Sequence, residues 1–205
     1  MLAIVPVKGR DGKNRLEGLL QPDERARLVE AMLTDVLRAC RGASSVSEVV
    51  VVTPDAGLAP EGIEVLADDG GGHAAAVERA LGDDRARDGA IVVLGDCPLV
   101  TGDALDRLAD AATPVAVAPA RDGGLNAVAL RQPSGVTPLF GVPGAARATA
   151  ERARAAGVEA VVVDEPGLAF DVDTPRDVWE LREDRGDTAT HRLLQEILPP
   201  TGGLL

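Results

Sequence analysis

Residues 2–16 read LAIVPVKGRDGKNRL, an apolar run that passes directly into a cationic loop. The run at 2–7 predicts a first strand, and the loop at 8–16 contains both lysines of the chain, Lys8 and Lys13, with Arg10 and Arg15. A cationic, glycine-containing loop at the carboxyl end of a first strand is where α/β proteins bind phosphates. These side chains would neutralise a triphosphate. A solvated surface loop is the alternative, which we consider weaker because the rest of the chain is acidic.

The charge of the whole chain limits its partners. The net charge is −12 over 205 residues. A field of that sign repels nucleic acid and anionic membranes, so we expect neither as a partner. A small anionic ligand would need a local basic pocket or a divalent cation. No window predicts a membrane span, and the first apolar run is too short and wrongly flanked for a signal peptide, so we expect a cytoplasmic protein.

Short apolar runs alternate with amphipathic stretches along the chain. The predicted strands are residues 2–7, 48–53, 63–66, 90–94, 115–118, 126–130 and 158–163, and the predicted helices are 22–41, 73–81, 102–112, 144–156, 175–184 and 188–198. This alternation predicts a three-layer α/β fold with a mostly parallel sheet. Segment 119–141 interrupts it and predicts an inserted hairpin that makes the sheet mixed. We assign residues 1–198 to a single domain and 199–205 to a flexible C-terminal tail.

Three aspartates follow strand-like segments. Asp96 comes directly after the apolar run at 90–94, where a side chain points into the ligand crevice of a parallel sheet. Asp171 and Asp173 are two positions apart in an extended segment and therefore face the same side. Hard oxygen ligands of this kind suit Mg²⁺. The alternatives are a turn or helix-start role for Asp96 and a capping role for Asp173 before Pro175.

Two glycine-rich segments offer main-chain amides. The first is DGGGH at 69–73, where Gly71 and Gly72 would bind a base edge or simply give flexibility. The second is DGGLN at 122–126, where Gly123 and Gly124 suit a turn that receives a phosphate or a carboxylate. A plain hairpin turn is the competing interpretation of the second segment. The two histidines have no matching nucleophile and there is no GxSxG, so a hydrolase triad is not expected.

In combination these segments resemble one family. The start PVKGRDGKNRL, GDCPLV at 95–100, DGGLN at 122–126, FG at 140–141 and DVDTP at 171–175 are similar to motifs of the guanylyltransferases of coenzyme F-420 biosynthesis. The resemblance runs from about residue 2 to about residue 180. It implies a Rossmann-like nucleotidyltransferase fold of the nucleotide-diphospho-sugar transferase type. It also implies transfer of GMP from GTP, with release of pyrophosphate, to 2-phospho-L-lactate, phosphoenolpyruvate or 3-phosphoglycerate.

The resemblance assigns roles by position. Lys8, Lys13 and Arg15 would contact the nucleotide phosphates, with Gly71 and Gly72 also on the nucleotide. Mg²⁺ would be held by Asp96, Asp171 and Asp173. The catalytic residues would be Lys13, Arg15 and Asp96, and the acceptor acid would be bound by Gly123, Gly124, Leu125, Phe140, Gly141 and Gly144.

The chain departs from the family pattern in two loops. At Leu125 the family usually has a threonine, and after FG it usually has a serine and then a histidine where this chain has VPGAARA. Near the base-binding loop it commonly has an asparagine, where this chain has HAAA at 73–76. Three explanations stay open: main-chain amides and arginines make these contacts instead, the substrates differ, or the activity is reduced.

Two other functions therefore stay open. One is a nucleotidyltransferase of the same fold with another nucleotide or acceptor, and the other is a non-catalytic nucleotide-binding paralogue. The oligomeric state is also open, a homodimer included.

Overall fold

Seven strands form one mixed sheet in the computed structural model of the chain, which describes residues 1–68, 72–131 and 135–199. The strands are β1 (Leu2–Pro6), β2 (Glu48–Thr53), β3 (Glu64–Ala67), β4 (Ala90–Val93), β5 (Val115–Pro119), β6 (Leu125–Leu130) and β7 (Ala160–Val162). Their order across the sheet is β3-β2-β1-β4-β6-β5-β7. Strand β6 runs antiparallel to both neighbours, and the other pairs are parallel. The predicted mostly parallel, mixed sheet is confirmed.

Helices connect the strands. They are α1 (Pro22–Gly42), α2 (Gly72–Leu81), α3 (Gly102–Ala111), α4 (Ala145–Ala155), α5 (Pro166–Ala169), α6 (Pro175–Glu183) and α7 (Ala189–Ile197). Each predicted strand and helix is present, with ends within two residues of the prediction. The short helix α5 and the single 3-10 turns at Asn14–Leu16, Ala56–Leu58 and Asp84–Ala86 were not predicted, because they are too short to show a period.

The central strands are covered on both faces. All residues of β1, β4 and β6 are buried, as expected for strands with helices on either side. Alternate residues of β1 enter two separate cores. Ala3 and Val5 belong to the core with α1, α3, α6 and α7, whereas Leu2 and Ile4 belong to the core with α2 and α4. The three-layer prediction is therefore confirmed.

The predicted insertion is a hairpin of β5 and β6. Gly123, with a φ of 87°, lies in the turn between them, which is a backbone conformation that favours glycine. The Gly124 amide donates to Asp122 Oδ1 at 2.8 Å and closes the turn. The hairpin inserts β6 beside β4, so residues 125 and 126 lie close to the carboxyl end of β4.

The last helix is fixed to the first by a buried carboxylate. Asp35 of α1 accepts from the amides of Ala189 and Thr190 at 2.7 and 2.8 Å and from Thr190 Oγ1 at 2.7 Å. These amides open α7 and have no partner within the helix, so the carboxylate satisfies them. In the predicted tail, residues 200–205 lie outside the described residues. Of the helices that the structure describes, none has the length and apolar character needed to span a membrane.

Candidate active site

Three chain segments meet at the carboxyl ends of β1 and β4. The loop after β1 carries Lys13, and the loop after β4 carries Asp96. Gly95 donates its amide to the carbonyl of Pro6 at 3.2 Å, which joins the two loops. The amide of Val172 donates to the carbonyl of Asp96 at 3.1 Å and brings in the third segment, residues 170–174. Parallel neighbours end at the same edge of a sheet, and this is why residues so distant in sequence converge.

Gly95 is required by this close approach. A Cβ at this position would lie 2.4 Å from Cγ2 of Val7, which is buried. Only glycine lets the loop carrying Asp96 pass over β1 at this distance. The glycine of the GDCPLV motif thus has a packing reason as well as a place in the family pattern.

Lys13 lies between two of the predicted metal ligands. Its Nζ donates to Asp96 Oδ2 at 2.6 Å and to Asp173 Oδ1 at 2.7 Å, and its side chain is 11% exposed. Its backbone is left-handed, with a φ of 60°, the single non-glycine case among the described residues. This conformation costs about 1–2 kcal/mol for an ordinary residue. Two ion pairs in a half-buried setting offset that cost and hold the ammonium in place.

The site is a set of mutually dependent charges. Burial lowers the pKa of Lys13, but the carboxylates of Asp96 and Asp173 outweigh it and hold that pKa above its usual range. Burial raises the pKa of Asp173, but Lys13 outweighs it, so this carboxyl titrates below its usual range. Burial raises the pKa of Asp171 to about 6, opposed by a hydrogen bond from Asn126 and reinforced by the charges of Asp96 and Asp173. Asp171 therefore loses its proton at a higher pH than an ordinary aspartate does.

Asp96 has an unused oxygen. Its Oδ1 is buried and has no hydrogen-bond partner among the residues that the structure describes. A buried polar atom without a partner costs about 1–3 kcal/mol, and a charged one costs more. The residues therefore fit a cation, because a hard ion would use this oxygen and those of the neighbouring aspartates.

The predicted magnesium ligands are nevertheless not assembled as a ready site. Within residues 1–68, 72–131 and 135–199, no group of three or more His, Cys, Asp or Glu side chains is arranged to hold a metal ion. The ammonium of Lys13 lies where two of the carboxylates would otherwise face each other. The magnesium role of Asp96, Asp171 and Asp173 stays a prediction.

The capping alternatives for these aspartates are excluded by their contacts. Thr174, not Asp173, caps α6 and accepts from the amide of Asp177 at 3.4 Å. Thr101 caps α3 and accepts from the amide of Ala104 at 3.2 Å, so Asp96 is not a helix cap, although it does lie in a turn, the other role weighed for it. Both carboxylates contact Lys13 instead.

The other cations of the first loop differ in their exposure and in whether they are paired with a carboxylate. Arg15 is 74% exposed and donates to Asp173 Oδ2 at 3.2 Å. Lys8 is exposed, and no carboxylate of the described residues lies within ion-pair distance of it. Its charge still helps to lower the pKa of Asp173, which places it near the site. Arg10 pairs with Glu30 and with Asp55, so it braces the loop rather than offering a free charge.

Asn126 is a site residue that sequence reasoning left without a role. Its Nδ2 donates to the carbonyl of Leu168 at 2.9 Å and to Asp171 Oδ1 at 3.1 Å. The available signal was its position as the single polar residue of the apolar strand LNAVAL. Its partners, 42 and 45 residues away along the chain, could not be read from that pattern.

The predicted acceptor residues lie in two loops. The amide of Gly123 donates to the carbonyl of Ala120 at 2.9 Å and that of Gly124 to Asp122 Oδ1, so both amides already have acceptors. The side chain of Leu125 is 3% exposed and packs in the core with α2 and α4. The hairpin-turn interpretation accounts for these bonds, and an acceptor would have to displace them.

The second loop precedes α4. Phe140 is half-buried and packs on the same core, Gly141 has a φ of 72°, and Gly144, with a φ of 67°, is the N-cap of α4. The amide of Gly141 has no acceptor within the described part of the chain. Of the predicted nucleotide-binding glycines, Gly72 opens α2 and Gly71 lies outside the described residues.

Known structures share the fold. A protein from Desulfovibrio desulfuricans assigned as a nucleotide-diphospho-sugar transferase superposes with a TM-score of 0.75 at 21% identity, over 95% of this chain and 94% of that one. A nucleotidyl transferase from Methanothermobacter superposes with a TM-score of 0.60 at 20% identity, over 95% and 98%. At these identities the likeness concerns the fold alone, and it confirms the predicted fold type.

Sequence comparison identifies the family. Residues 1–198 match the family described as "Guanylyl transferase CofC like". The phosphoenolpyruvate guanylyltransferase of Sphaerobacter thermophilus is 40% identical over 197 residues, which cover 88% of this chain and 91% of that protein. The 2-phospho-L-lactate guanylyltransferase of Haloarcula marismortui is 34% identical over 216 residues, covering 99% and 96%. The chain therefore belongs to the CofC-like guanylyl transferase family.

Proposed function

We propose that the protein transfers GMP from GTP to a small phosphorylated carboxylic acid, with release of pyrophosphate, in a magnesium-dependent step of coenzyme F-420 biosynthesis. The acid is phosphoenolpyruvate, 2-phospho-L-lactate or 3-phosphoglycerate. Relatives over nearly the whole chain carry names for the first two of these reactions. The chemistry of the site supports the proposal independently of those names.

The observation that carries the proposal is the contact of Lys13 with Asp96 and Asp173 at the carboxyl ends of β1 and β4. Lys13 and Arg15 together balance the charges of Asp96 and Asp173, within a chain of net charge −12. Such a site accepts a triphosphate together with a divalent cation. The phosphates then pair with Lys13 and Arg15, and the divalent cation pairs with the aspartates that these side chains release. It would not accept the bare anion as readily, since the aspartates would repel it.

The reaction needs no strong general base. An oxygen of the acceptor phosphate is already anionic; it forms a bond to the α-phosphorus of GTP while the bond from that phosphorus to the bridging oxygen of the β-phosphate breaks. Pyrophosphate leaves with that oxygen. Catalysis of this kind consists mainly of positioning and charge stabilisation.

Each cation of the first loop has a part in that stabilisation. Lys13 and Arg15, both tied to Asp173 in the free protein, turn to the phosphates, where they stabilise the charge that develops on pyrophosphate. Lys8, exposed and unpaired among the described side chains, attracts the triphosphate and stays in contact with it. Mg²⁺, when held by Asp96, Asp171 and Asp173, supplies further charge neutralisation at the phosphate oxygens.

The acceptor acid lies against the two loops at 123–125 and 140–144. The amides of Gly141 and Gly144 have no acceptor within the described residues, whereas those of Gly123 and Gly124 must exchange partners. We therefore assign the first contact of the acid to the amides of Gly141 and Gly144. Leu125 packs on its carbon skeleton once the hairpin turn has adjusted.

The test is pyrophosphate release from GTP and each acid, in magnesium and in EDTA. Release should require both the acid and the divalent cation. Asp173→Asn should lower turnover on the order of 100-fold, while the matched control Asp110→Asn, whose side chain is 83% exposed on α3, should behave as wild type. Equal turnover in EDTA and magnesium would contradict the metal requirement.

A further inference from the structure

Asn126 is a polar residue in a strand that is otherwise apolar. It lies on β6, whose sequence is LNAVAL, and every residue of this strand is buried. Asn126 itself is 2% exposed. Burying an amide is unfavourable unless it is hydrogen-bonded, and a sheet centre normally carries apolar side chains. A residue of this type at this position needs a reason beyond packing.

The side-chain amide of Asn126 donates one N–H to each of two different chain segments. One goes to the carbonyl of Leu168 in α5 and the other to Oδ1 of Asp171. Both partners are acceptors only, so the orientation of the amide follows from chemistry and not from the choice of which atom is nitrogen. The contact to Leu168 satisfies a buried carbonyl, whereas the contact to Asp171 reaches into the site.

The main chain of Asn126 is hydrogen-bonded to the segment that carries Asp96. Its carbonyl accepts from the amide of Leu94 at 2.9 Å, two residues before Asp96. The main-chain carbonyl of Asp96 in turn accepts from the amide of Val172, the residue after Asp171. One residue of β6 therefore links the segment that carries Asp96 to the carboxylate of Asp171.

We propose that Asn126 is a positioning residue, which fixes the Asp171 carboxylate in the orientation that a divalent cation requires. The inference rests on the proposed function, because it assigns Asp171 to the metal. Asn126 donates hydrogen bonds and does not itself touch the substrates. The donated bond leaves the second oxygen of Asp171 to the ion, and the link to Leu168 keeps the amide from turning away. Groups that orient metal-binding carboxylates typically change metal affinity about 10–100-fold when they are removed.

The test measures Mn²⁺ affinity of the nucleotide-free protein by electron paramagnetic resonance, so it does not depend on turnover. Asn126→Leu keeps the approximate volume and removes both donors, and Asn126→Ser provides a hydroxyl too short to span both acceptors. Either variant should bind Mn²⁺ about 10–100-fold more weakly than wild type. Turnover should recover toward wild type when Mn²⁺ is raised to saturation, because the ligands themselves remain.

The control is Thr190→Val, which removes a buried hydrogen bond to Asp35 where α7 meets α1. It should lower the melting temperature and leave Mn²⁺ affinity unchanged, which separates positioning from stability. Wild-type affinity in Asn126→Leu would overturn the inference, and if this variant does not fold, Asn126→Ser decides by the same criterion. A wild-type protein that binds no Mn²⁺ would instead refute the proposed magnesium site, and the inference with it.

Discussion

Lys13 Nζ donates to Asp96 Oδ2 at 2.6 Å, although the two residues are 83 positions apart in the chain. The bond joins the loop after β1 to the loop after β4 and gives the site a cation of its own. Asp173 shares the same ammonium at 2.7 Å. The function of Lys13 in the free protein is therefore to neutralise carboxylates, and its action on a nucleotide requires a change of partner.

Lys13→Met tests this exchange, because it keeps a long side chain and removes the charge. Without nucleotide, the variant should bind Mn²⁺ more tightly than wild type, since a competing cation is gone. It should melt at a lower temperature without metal, because Asp96 and Asp173 then repel each other. Turnover should fall on the order of 100-fold, as for loss of a charged contact in the transition state.

The control for Lys13→Met is Arg87→Met. Arg87 is 73% exposed, pairs with Asp84 and precedes β4, at the end of that strand opposite Asp96. Its loss should change neither Mn²⁺ affinity nor turnover. Unchanged Mn²⁺ affinity in Lys13→Met would show that the ammonium does not compete with a metal for these carboxylates.

Asp171→Asn should stabilise the metal-free protein at pH 7.5. An aspartate of an unfolded chain titrates near ~3.9, whereas the pKa of Asp171 in the folded protein is about 6. Between these values the folded state binds more protons than the unfolded state, so this carboxyl makes stability fall as pH rises, with the full penalty present above the folded pKa. The amide variant avoids that penalty and can still accept from Asn126.

The measurement is the melting temperature of both proteins from pH 4 to pH 8 in EDTA. We expect the variant to melt higher at the alkaline end, with each kcal/mol worth roughly 2–4 °C in a domain of this size. The difference should vanish toward pH 4, where both side chains are neutral. A variant that melts below wild type at pH 7.5 would mean that the charge of Asp171 supports the fold.

Gly95→Ala should lower both stability and turnover. The added Cβ would meet Val7 Cγ2 at 2.4 Å, and Val7 is buried and β-branched, so the loop carrying Asp96 has to shift. Overpacking of this kind costs about 1–3 kcal/mol, and a displacement near 1 Å at a catalytic group costs on the order of 100-fold in rate.

Gly102→Ala separates these two effects. Its Cβ would lie 2.7 Å from the carbonyl carbon of Gly42, at the end of α1. We expect a comparable loss of stability in urea unfolding, with turnover retained. Wild-type turnover in Gly95→Ala would mean that the position of Asp96 tolerates the shift.

Leu125→Thr should change the preference among the three acids. The added hydroxyl provides a side-chain donor next to the hairpin turn, where this chain offers main-chain groups. Leu130→Thr is the matched control, because Leu130 lies at the other end of β6 and is equally buried, at 3% exposed. Both variants should lose about 2 kcal/mol of stability. Ratios of kcat/KM that stay constant in Leu125→Thr would remove Leu125 from the acceptor site.

Local patterns explain why the fold was predictable. Periodicity identifies β1, β2 and β4 from their apolar runs and α1 from its apolar stripe. This pattern is local, so it can be recognised without knowing which elements pack against these strands and this helix. Asp96 was placed correctly for the same reason, because it directly follows a central strand. The antiparallel β6 was predictable as a break in the alternation.

The contacts within the site were not predictable, because they depend on which distant residues the fold brings together. Arg10 and Arg15 look equivalent in sequence, but Arg10 is tied to Glu30 and Asp55 while Arg15 stays largely exposed. A local contact can have the same effect, because the amide of Gly124 donates to Asp122, only two residues away. In each case the sequence singled out the residue, but its hydrogen-bond or ion-pair partner decides whether its charge or amide is available to a ligand.

The most direct measurement of the central claim identifies the product. The protein is incubated with each of the four ribonucleoside triphosphates and each of the three acids in magnesium, and the reaction is followed by pyrophosphate release and mass spectrometry. The account predicts that GTP, with one of the acids, gives a compound of the mass of the acid joined to GMP, and that EDTA abolishes it. Preference for another nucleotide, or pyrophosphate release that does not depend on any of the acids, would contradict it.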